Sequence, residues 1–221
     1  MRRKNSFISP TNSKHKPLGG KLAGGASLAA LAAGMVLGGG LLTATAPSAY
    51  ALAGIVATES GPGPLTVSAP ALVTESAGDG INAINNSPGT DLTITATDVS
   101  GSQDGIDARN NGTGALSVTS TGSVTGADLG IRANNFGTDL TIAAASVSGN
   151  TGISARNDGT GSLSVTATGT VTGTGFRGIV ARNQSTGLNL NINVVDVMGA
   201  HNSTPSLKNP AWISISPKEW I

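Results

Sequence analysis

An internal repeat is the feature of this sequence that most constrains its fold. The stretch GIDARNNGTGALSVTSTGSVTG at residues 105–126 returns almost unchanged at residues 152–173 as GISARNDGTGSLSVTATGTVTG. The shorter motif Gly-Ile-x-Ala-x-Asn recurs every 22 to 26 residues and starts at Gly80, Gly105, Gly130, Gly152 and Gly178. A fixed period of about 20 to 50 residues is typical of solenoids, propellers and helical arrays. The chain is therefore built from stacked copies of one small unit.

Each unit contains three short segments in which apolar and polar residues alternate. Leu-x-Ile or Leu-x-Val begins 10 to 12 residues after the motif glycine, and Val-x-Gly begins seven or eight residues after that Leu. Alternation with period two, bounded by Gly, Asn, Asp and Ser clusters, predicts strands and turns. A unit with three strands is too short for a four-stranded propeller blade. The sequence therefore predicts an all-β parallel β-helix of about six coils with three short strands each, and a fainter first unit opens at Gly54.

In such a coil stack, equivalent residues form columns. The motif Ile and Ala, the Leu-x-Ile/Val pair and the third-segment Val are predicted to face inward. The motif Asn shares that parity and is predicted at the first corner, where Asn tolerates a left-handed backbone and stacked amides bond to one another. This column comprises Asn85, Asn110, Asn135, Asn157 and Asn183.

The N-terminal segment differs from the repeats. Residues 1–21 hold six of the 13 Lys and Arg and no acid, an apolar Ala- and Gly-rich run covers 22–42, and Ala49-Tyr50-Ala51 follows. A basic start, an apolar middle and an A-x-A end predict a signal peptide over residues 1–51, cut after Ala51. An uncleaved membrane anchor is the alternative. The β-helix is predicted over residues 52–200, and an exported location follows from the leader.

The repeat pattern stops after residue 200. Residues 201–221 hold both tryptophans and all three prolines that follow Pro88. Two interpretations remain: a C-terminal cap over the open edge of the last coil, or the truncated or out-of-frame end of a longer gene. We favour truncation.

Charge and composition exclude several classes of function. Without the leader, seven basic residues face all 12 acids, a net charge of about −5, which argues against a nucleic-acid partner. Cysteine is absent, so no thiolate zinc site or thiol nucleophile is available. Both histidines, His15 and His201, lie outside the coils. These observations predict a protein that is not an enzyme and needs no cofactor.

A long leader with a basic start, followed at once by coils of the GIxAxN...LTIxA...VSG type, resembles the β-helical passenger regions of Gram-negative autotransporters and related surface adhesins. The resemblance covers about residues 1 to 200. It implies a structural or adhesive rod, secreted or held at the cell surface or outer membrane, with host or cell-surface molecules as partners. The C-terminal translocator barrel of that family is missing, so membrane association would come only through export or a lost barrel. The sequence does not indicate an oligomeric state.

Two sets of charged residues are candidates for a site. The predicted architecture also resembles that of β-helical enzymes that cleave acidic polysaccharides, which hold Ca²⁺ with acidic residues near a basic one. This resemblance implies that Asp79, Asp104 and Asp107 are metal ligands beside Arg109. The chain would then be a fragment of a Ca²⁺-dependent carbohydrate-active enzyme. Hard oxygen ligands suit that ion, although solvated corner acids are the simpler interpretation. Separately, Arg109, Arg156 and Arg182 share an outward parity and are predicted either to bind an anionic glycan or to keep the rod soluble.

Overall fold

The computed structural model describes residues 52–184 and 187–200, together with the backbone of residues 33–36 and 40–43. Within this part of the chain every regular element is a β-strand, and every strand pair is parallel. The predicted all-β parallel β-helix is therefore confirmed.

The strands are numbered in chain order. They are β1 (Ala33–Val36), β2 (Gly40–Thr43), β3 (Ile55–Glu59), β4 (Leu65–Ala69), β5 (Val73–Thr74), β6 (Ile81–Asn85), β7 (Leu92–Ala96), β8 (Val99–Gly101), β9 (Ile106–Asn110), β10 (Leu116–Gly126), β11 (Leu129–Asn135), β12 (Leu140–Gly149), β13 (Thr151–Asn157), β14 (Leu163–Gly173), β15 (Ile179–Asn183) and β16 (Leu190–Gly199).

Two parallel sheets run the length of the solenoid. Sheet 1 has the order β1-β3-β6-β9-β11-β13-β15, and each of its strands from β3 onward opens one coil. Sheet 2 has the order β2-β4-β7-β10-β12-β14-β16. It is extended by β8, which pairs with the second half of β10, and by β5, which pairs with β8. The chain passes from sheet 1 to sheet 2 and back in every coil, which gives six coils from β3 to β16.

The second and third predicted strands of a coil are separate only in the first two coils. From the third coil onward they form one continuous strand, interrupted by a register shift between Ser120 and Ser123 in β10 and at the equivalent place in the later pairs. The coils that start at Gly105 and Gly152 carry one extra residue before the third-segment Val, and the shift absorbs it as a β-bulge. A β-bulge bends a strand without ending it. The sequence pattern at the bulge was therefore interpreted as a turn between two separate strands.

The interior consists of the predicted aliphatic columns. In sheet 1 the motif Ile and Ala residues stack in register, as Ile131 and Ala133 do on Ile106 and Ala108. In sheet 2 the Leu-x-Ile/Val pair does the same, and nearly all of these side chains are fully buried. Since each strand is backed by its neighbours, burial depends on stacking: a single coil could not bury its own inward face.

The motif glycine is required by close packing between coils. A Cβ atom on Gly105 would lie 2.6 Å from the carbonyl oxygen of Gly130 and 2.7 Å from Cγ1 of Val124. Both neighbours belong to the folded core, so no flexible side chain can move aside. Glycine at this corner lets the chain turn from the third-segment Val into the next strand of sheet 1.

The predicted ends lie largely outside the described residues. Within the predicted leader, only the backbone of β1 and β2 is described, and these strands pair with β3 and β4 at the N-terminal edge. The basic start, the cleavage position after Ala51 and the whole tail, residues 201–221, are outside the described part of the chain. The signal peptide and the two interpretations of the tail therefore stay predictions.

Candidate functional site

The asparagine column forms a continuous ladder of buried side-chain amides. Nδ2 of Asn85 donates to Oδ1 of Asn110 at 3.0 Å, and the same bond links Asn110 to Asn135 and Asn135 to Asn157 at 3.1 and 3.0 Å. Asn157 donates to Asn183 at 3.0 Å. Each Nδ2 also reaches one or two carbonyls at the start of sheet 2. The ladder fastens every coil to the next and closes the first corner.

The predicted left-handed backbone at these asparagines is wrong. No described residue other than glycine has a positive φ. Each Asn instead ends its strand with an extended backbone, and the side chain turns inward in place of an aliphatic group. Asn is favoured here because its amide both donates and accepts, which the ladder requires of every member that has a neighbour on both sides.

The amide ladder does not extend into the first coil. Glu59 occupies the column position there, in register with Asn85, and its Oε1 accepts the N–H groups of Ser60 and Gly61. Within the described residues, Oδ1 of Asn85 has no hydrogen-bond partner. The side chain in the first coil is a carboxyl group and not an amide, so the ladder of stacked amides begins at Asn85.

The structure does not bring the three candidate acids together as a ligand set. Oδ1 of Asp79 accepts the Asp104 N–H at 3.0 Å, while its Oδ2 accepts from Nδ2 of Asn82 at 2.8 Å. Oδ1 of Asp104 accepts the Leu129 N–H at 3.0 Å in the next coil. The described residues contain no group of three His, Cys, Asp or Glu side chains that could hold a metal. Asp79 and Asp104 thus each use one carboxylate oxygen to hold the following coil in place.

The basic partner of this cluster is Arg132, which the sequence analysis missed. Its guanidinium lies 3.1 Å from Oδ2 of Asp104 and 3.7 Å from Oδ2 of Asp107. Arg109, the predicted neighbour, instead donates through Nε to Oδ1 of Asn111 at 2.8 Å. Aligning the repeats provides the missing signal, because Arg132 and Asp107 occupy the same motif position in consecutive coils and pair directly.

Burial governs the protonation of this cluster. Desolvation raises the pKa of the Asp104 carboxyl above its ordinary value, and the Arg132 guanidinium only partly opposes that shift. The pKa of Asp107 is raised for the same reason, again against the pull of Arg132. The ion pair therefore compensates two partly buried acids, which is a structural role.

Other corner acids share the role of Asp79 and Asp104. Asp91, Asp98 and Asp139 each accept a backbone N–H from the following coil, at 2.7, 2.7 and 2.6 Å. At the start of the stack, Glu75 accepts the N–H groups of Gly54 and Ala77, which hold its pKa below the ordinary value. Most acids of the solenoid are thus committed to backbone contacts at the corners, where pairing along the sheets is interrupted.

The three candidate arginines lie in one outward column of sheet 1. Arg156 and Arg182 are direct neighbours on β13 and β15, and Asn134 of β11 separates Arg156 from Arg109 of β9. All three arginines are exposed. Arg156 pairs with Asp158 at 2.7 Å, whereas Arg182 has no ion-pair partner among the described residues.

Positive charge and aromatic rings are confined to the same side of the rod. The coils contain five arginines and no lysine, and all five lie on sheet 1 or directly before it: Arg109, Arg132, Arg156, Arg177 and Arg182. The two phenylalanines of the coils are about half exposed, and each lies under a guanidinium, with Arg109 5.5 Å from the Phe136 ring centre and Arg177 5.2 Å from that of Phe176. We call the outward side of sheet 1 with these residues the arginine face.

Sheet 2 presents a different surface. Apart from the bulge residues Gly122 and Gly169, its outward positions in the first five coils carry Thr, Ser and Ala, stacked in register as in the row of Thr93, Ser117 and Thr141. A shallow groove of about 300 Å³ follows the bulges along this side and is lined by Thr, Ser and Ala. The rod therefore has one face with charge and aromatic rings and one uncharged hydroxyl face.

The described part of the chain contains no helix of the length and apolarity needed to cross a membrane. Comparison of the whole chain with protein-family models, with curated proteins and with solved structures finds no match.

Proposed function

We propose that this protein is an exported, structural β-helical rod that presents adhesive faces at the cell surface, as its resemblance to autotransporter passengers implies. The observation that carries the proposal is the segregation of side chains. Inward positions and corner acids hold the coils together, while Arg109, Arg156 and Arg182 on the arginine face keep exposed guanidinium groups, and Phe136 and Phe176 are about half exposed. Exposed aromatic and arginine side chains are enriched where proteins bind partners.

The same division between structural and exposed side chains argues against a catalytic function. Catalysis of hydrolysis or elimination needs a positioned acid, base or nucleophile with a free reactive atom. The carboxylates of Asp79 and Asp104 accept backbone N–H groups, and Asp107 and Asp104 share Arg132. The coils contain neither His nor Cys. The Ca²⁺-dependent alternative therefore gains no support from the geometry.

Export is tested by expressing the full chain in a Gram-negative host and determining the N-terminus and location of the product. We expect a chain that begins at Leu52 and is found outside the cytoplasm. A double substitution, Ala49→Leu with Ala51→Leu, is the matched control, since large residues block processing at an A-x-A site. A wild-type chain that keeps Met1 and stays in the cytoplasm would contradict the proposal.

Adhesion is tested with the purified protein on beads. Beads that carry the folded rod should bind host cells or extracellular matrix more strongly than beads that carry heat-unfolded protein. Equal binding by both preparations would show that no folded face is involved, and the adhesive part of the proposal would then be wrong.

A further inference from the structure

We propose that the arginine face binds an acidic polysaccharide whose sugar chain lies along the solenoid axis, with its anionic groups on Arg109, Arg156 and Arg182. This inference rests on the proposed adhesive function and names its ligand class.

The spacing of the column suits a polymer with charges at intervals. Neighbouring strands lie about 4.8 Å apart, so Arg182 follows Arg156 by one such step and Arg109 lies two steps away, beyond Asn134. Two steps, about 10 Å, are close to the length of a disaccharide. A guanidinium offers paired N–H donors that match the oxygens of a carboxylate or a sulfate.

The guanidinium groups have donors to spare. Arg109 uses Nε for Asn111, and Arg156 uses its Nε for Asp158. The terminal nitrogens of these two side chains make no hydrogen bond in the described part of the chain, and Arg182 makes none there at all. Since each guanidinium carries five N–H donors, most of the hydrogen-bonding capacity of the column is directed to solvent.

Neutral groups on the same face suit the sugar itself. Phe136 is 46% exposed and lies beside Arg109, and the part of its ring that the guanidinium leaves open offers an apolar surface to the C–H side of a pyranose. Asn134 lies in the column between Arg109 and Arg156, and its amide can donate to and accept from hydroxyl groups. Charge, apolar contact and amides thus occur together along one line.

A nucleic acid fits this face poorly. Duplex DNA carries one charge per about 1.7 Å of its axis, which is far denser than one arginine per coil or per two coils. The coils also contain 11 acids against five arginines, so the rest of the rod repels a dense polyanion. A polymer with sparse charge meets fewer of those acids, and the one beside Arg156, Asp158, is already paired with that guanidinium.

The experiment measures binding of the full-length protein to immobilised polysaccharides by biolayer interferometry. The probes are polygalacturonate, which carries carboxylates only, chondroitin sulfate, which carries one carboxylate and about one sulfate per disaccharide, and neutral dextran, with duplex DNA as the dense polyanion. We expect binding to one or both acidic polysaccharides, weakening as salt rises, and no binding to dextran. The preferred acidic probe distinguishes carboxylate from sulfate recognition.

Two variants locate the site. Arg156→Gln with Arg182→Gln should reduce affinity by about tenfold or more, because two charge-assisted contacts are lost, and Phe136→Ala should reduce it by a smaller factor. The matched control places the same new residue on the hydroxyl face, as Thr95→Gln with Thr119→Gln, and should bind as the wild type does. Circular dichroism confirms that all variants are folded.

Several results would overturn the inference: equal binding to dextran, tighter binding to DNA than to either polysaccharide, or no effect of the arginine substitutions. The outcomes separate the two proposals. Cell adhesion without polysaccharide binding would leave the adhesive rod standing and remove this ligand class. Polysaccharide binding by a protein that stays in the cytoplasm would support this ligand class and contradict the proposed role at the cell surface.

Discussion

Replacing one rung of the amide ladder should destabilise the whole rod. Asn135 lies in the fourth coil, with two ladder members on each side, and is 1% exposed. Its Nδ2 donates to the carbonyls of Thr138 and Asp139 and to Oδ1 of Asn157, and its Oδ1 accepts from Asn110 and from the Gly137 N–H. Asn135→Ala removes all five hydrogen bonds from a site that water does not reach.

The size of the effect follows from those bonds. Most partners keep another hydrogen bond: Nδ2 of Asn110 still reaches the carbonyls of Gly114 and Ala115, Oδ1 of Asn157 still accepts the Gly159 N–H, and the Thr138 and Asp139 carbonyls still accept backbone N–H groups. The substitution therefore removes the two N–H donors and the acceptor oxygen of one buried amide, and it leaves the Gly137 N–H without its side-chain partner. At a net value near 1 kcal/mol for each bond, the free energy of unfolding should fall by about 2 to 4 kcal/mol.

The control is the adjacent residue. Asn134 faces outward on the same strand, so Asn134→Ala should change the free energy of unfolding by less than about 0.5 kcal/mol. Guanidinium titrations followed by far-ultraviolet circular dichroism compare the two variants with the wild type. If Asn135→Ala lowers stability by no more than Asn134→Ala does, the ladder does not hold the coils together and the reasoning is refuted.

Two further predictions concern packing and pH. A Cβ atom at Gly126 would overlap the Leu129 carbonyl oxygen, whereas one at Gly78 would have its nearest neighbour at 3.8 Å. Gly126→Ala should therefore lower the midpoint of thermal unfolding sharply, and Gly78→Ala should not. Equal midpoints for the two variants would contradict this prediction. The pKa of Asp104 is raised in the folded state, which therefore favours the protonated carboxyl. The contribution of this carboxyl to stability is greatest below its pKa in the unfolded chain. That contribution is lost as pH rises through its pKa in the folded protein. Relative to Asp104→Asn, the wild type should thus lose stability as pH rises above the ordinary aspartate range, about pH 4, and a difference in unfolding free energy that does not change with pH would refute the assignment.

The sequence predicted what depends on periodicity. Inward columns follow from alternation and from a constant repeat length, and the structure places Ile131 on Ile106 and Asn135 on Asn110 as that pattern requires. Stacking of identical residues is a local consequence of parallel pairing. The architecture and the position of the amide column could therefore be obtained without coordinates.

Side-chain direction at the corners could not be predicted in the same way. Whether Asp104 faces solvent, a metal or the next coil depends on a backbone N–H left free where a strand ends, and composition does not reveal that group. The partnership with Arg132 required comparing coils position by position instead of reading along the chain. The continuous strand β10 was missed because a bulge resembles a turn in sequence.

The near-identity of residues 105–126 and 152–173 has a consequence at the level of the gene. Unequal recombination between two such copies would add or delete two whole coils at once. Each junction would join a coil to one with the same inward residues, so pairing and the amide ladder would continue across it. The rod would change length by about 10 Å per event while repeating Arg109 at every addition. The rod could then vary in length without any change in the packing between its coils.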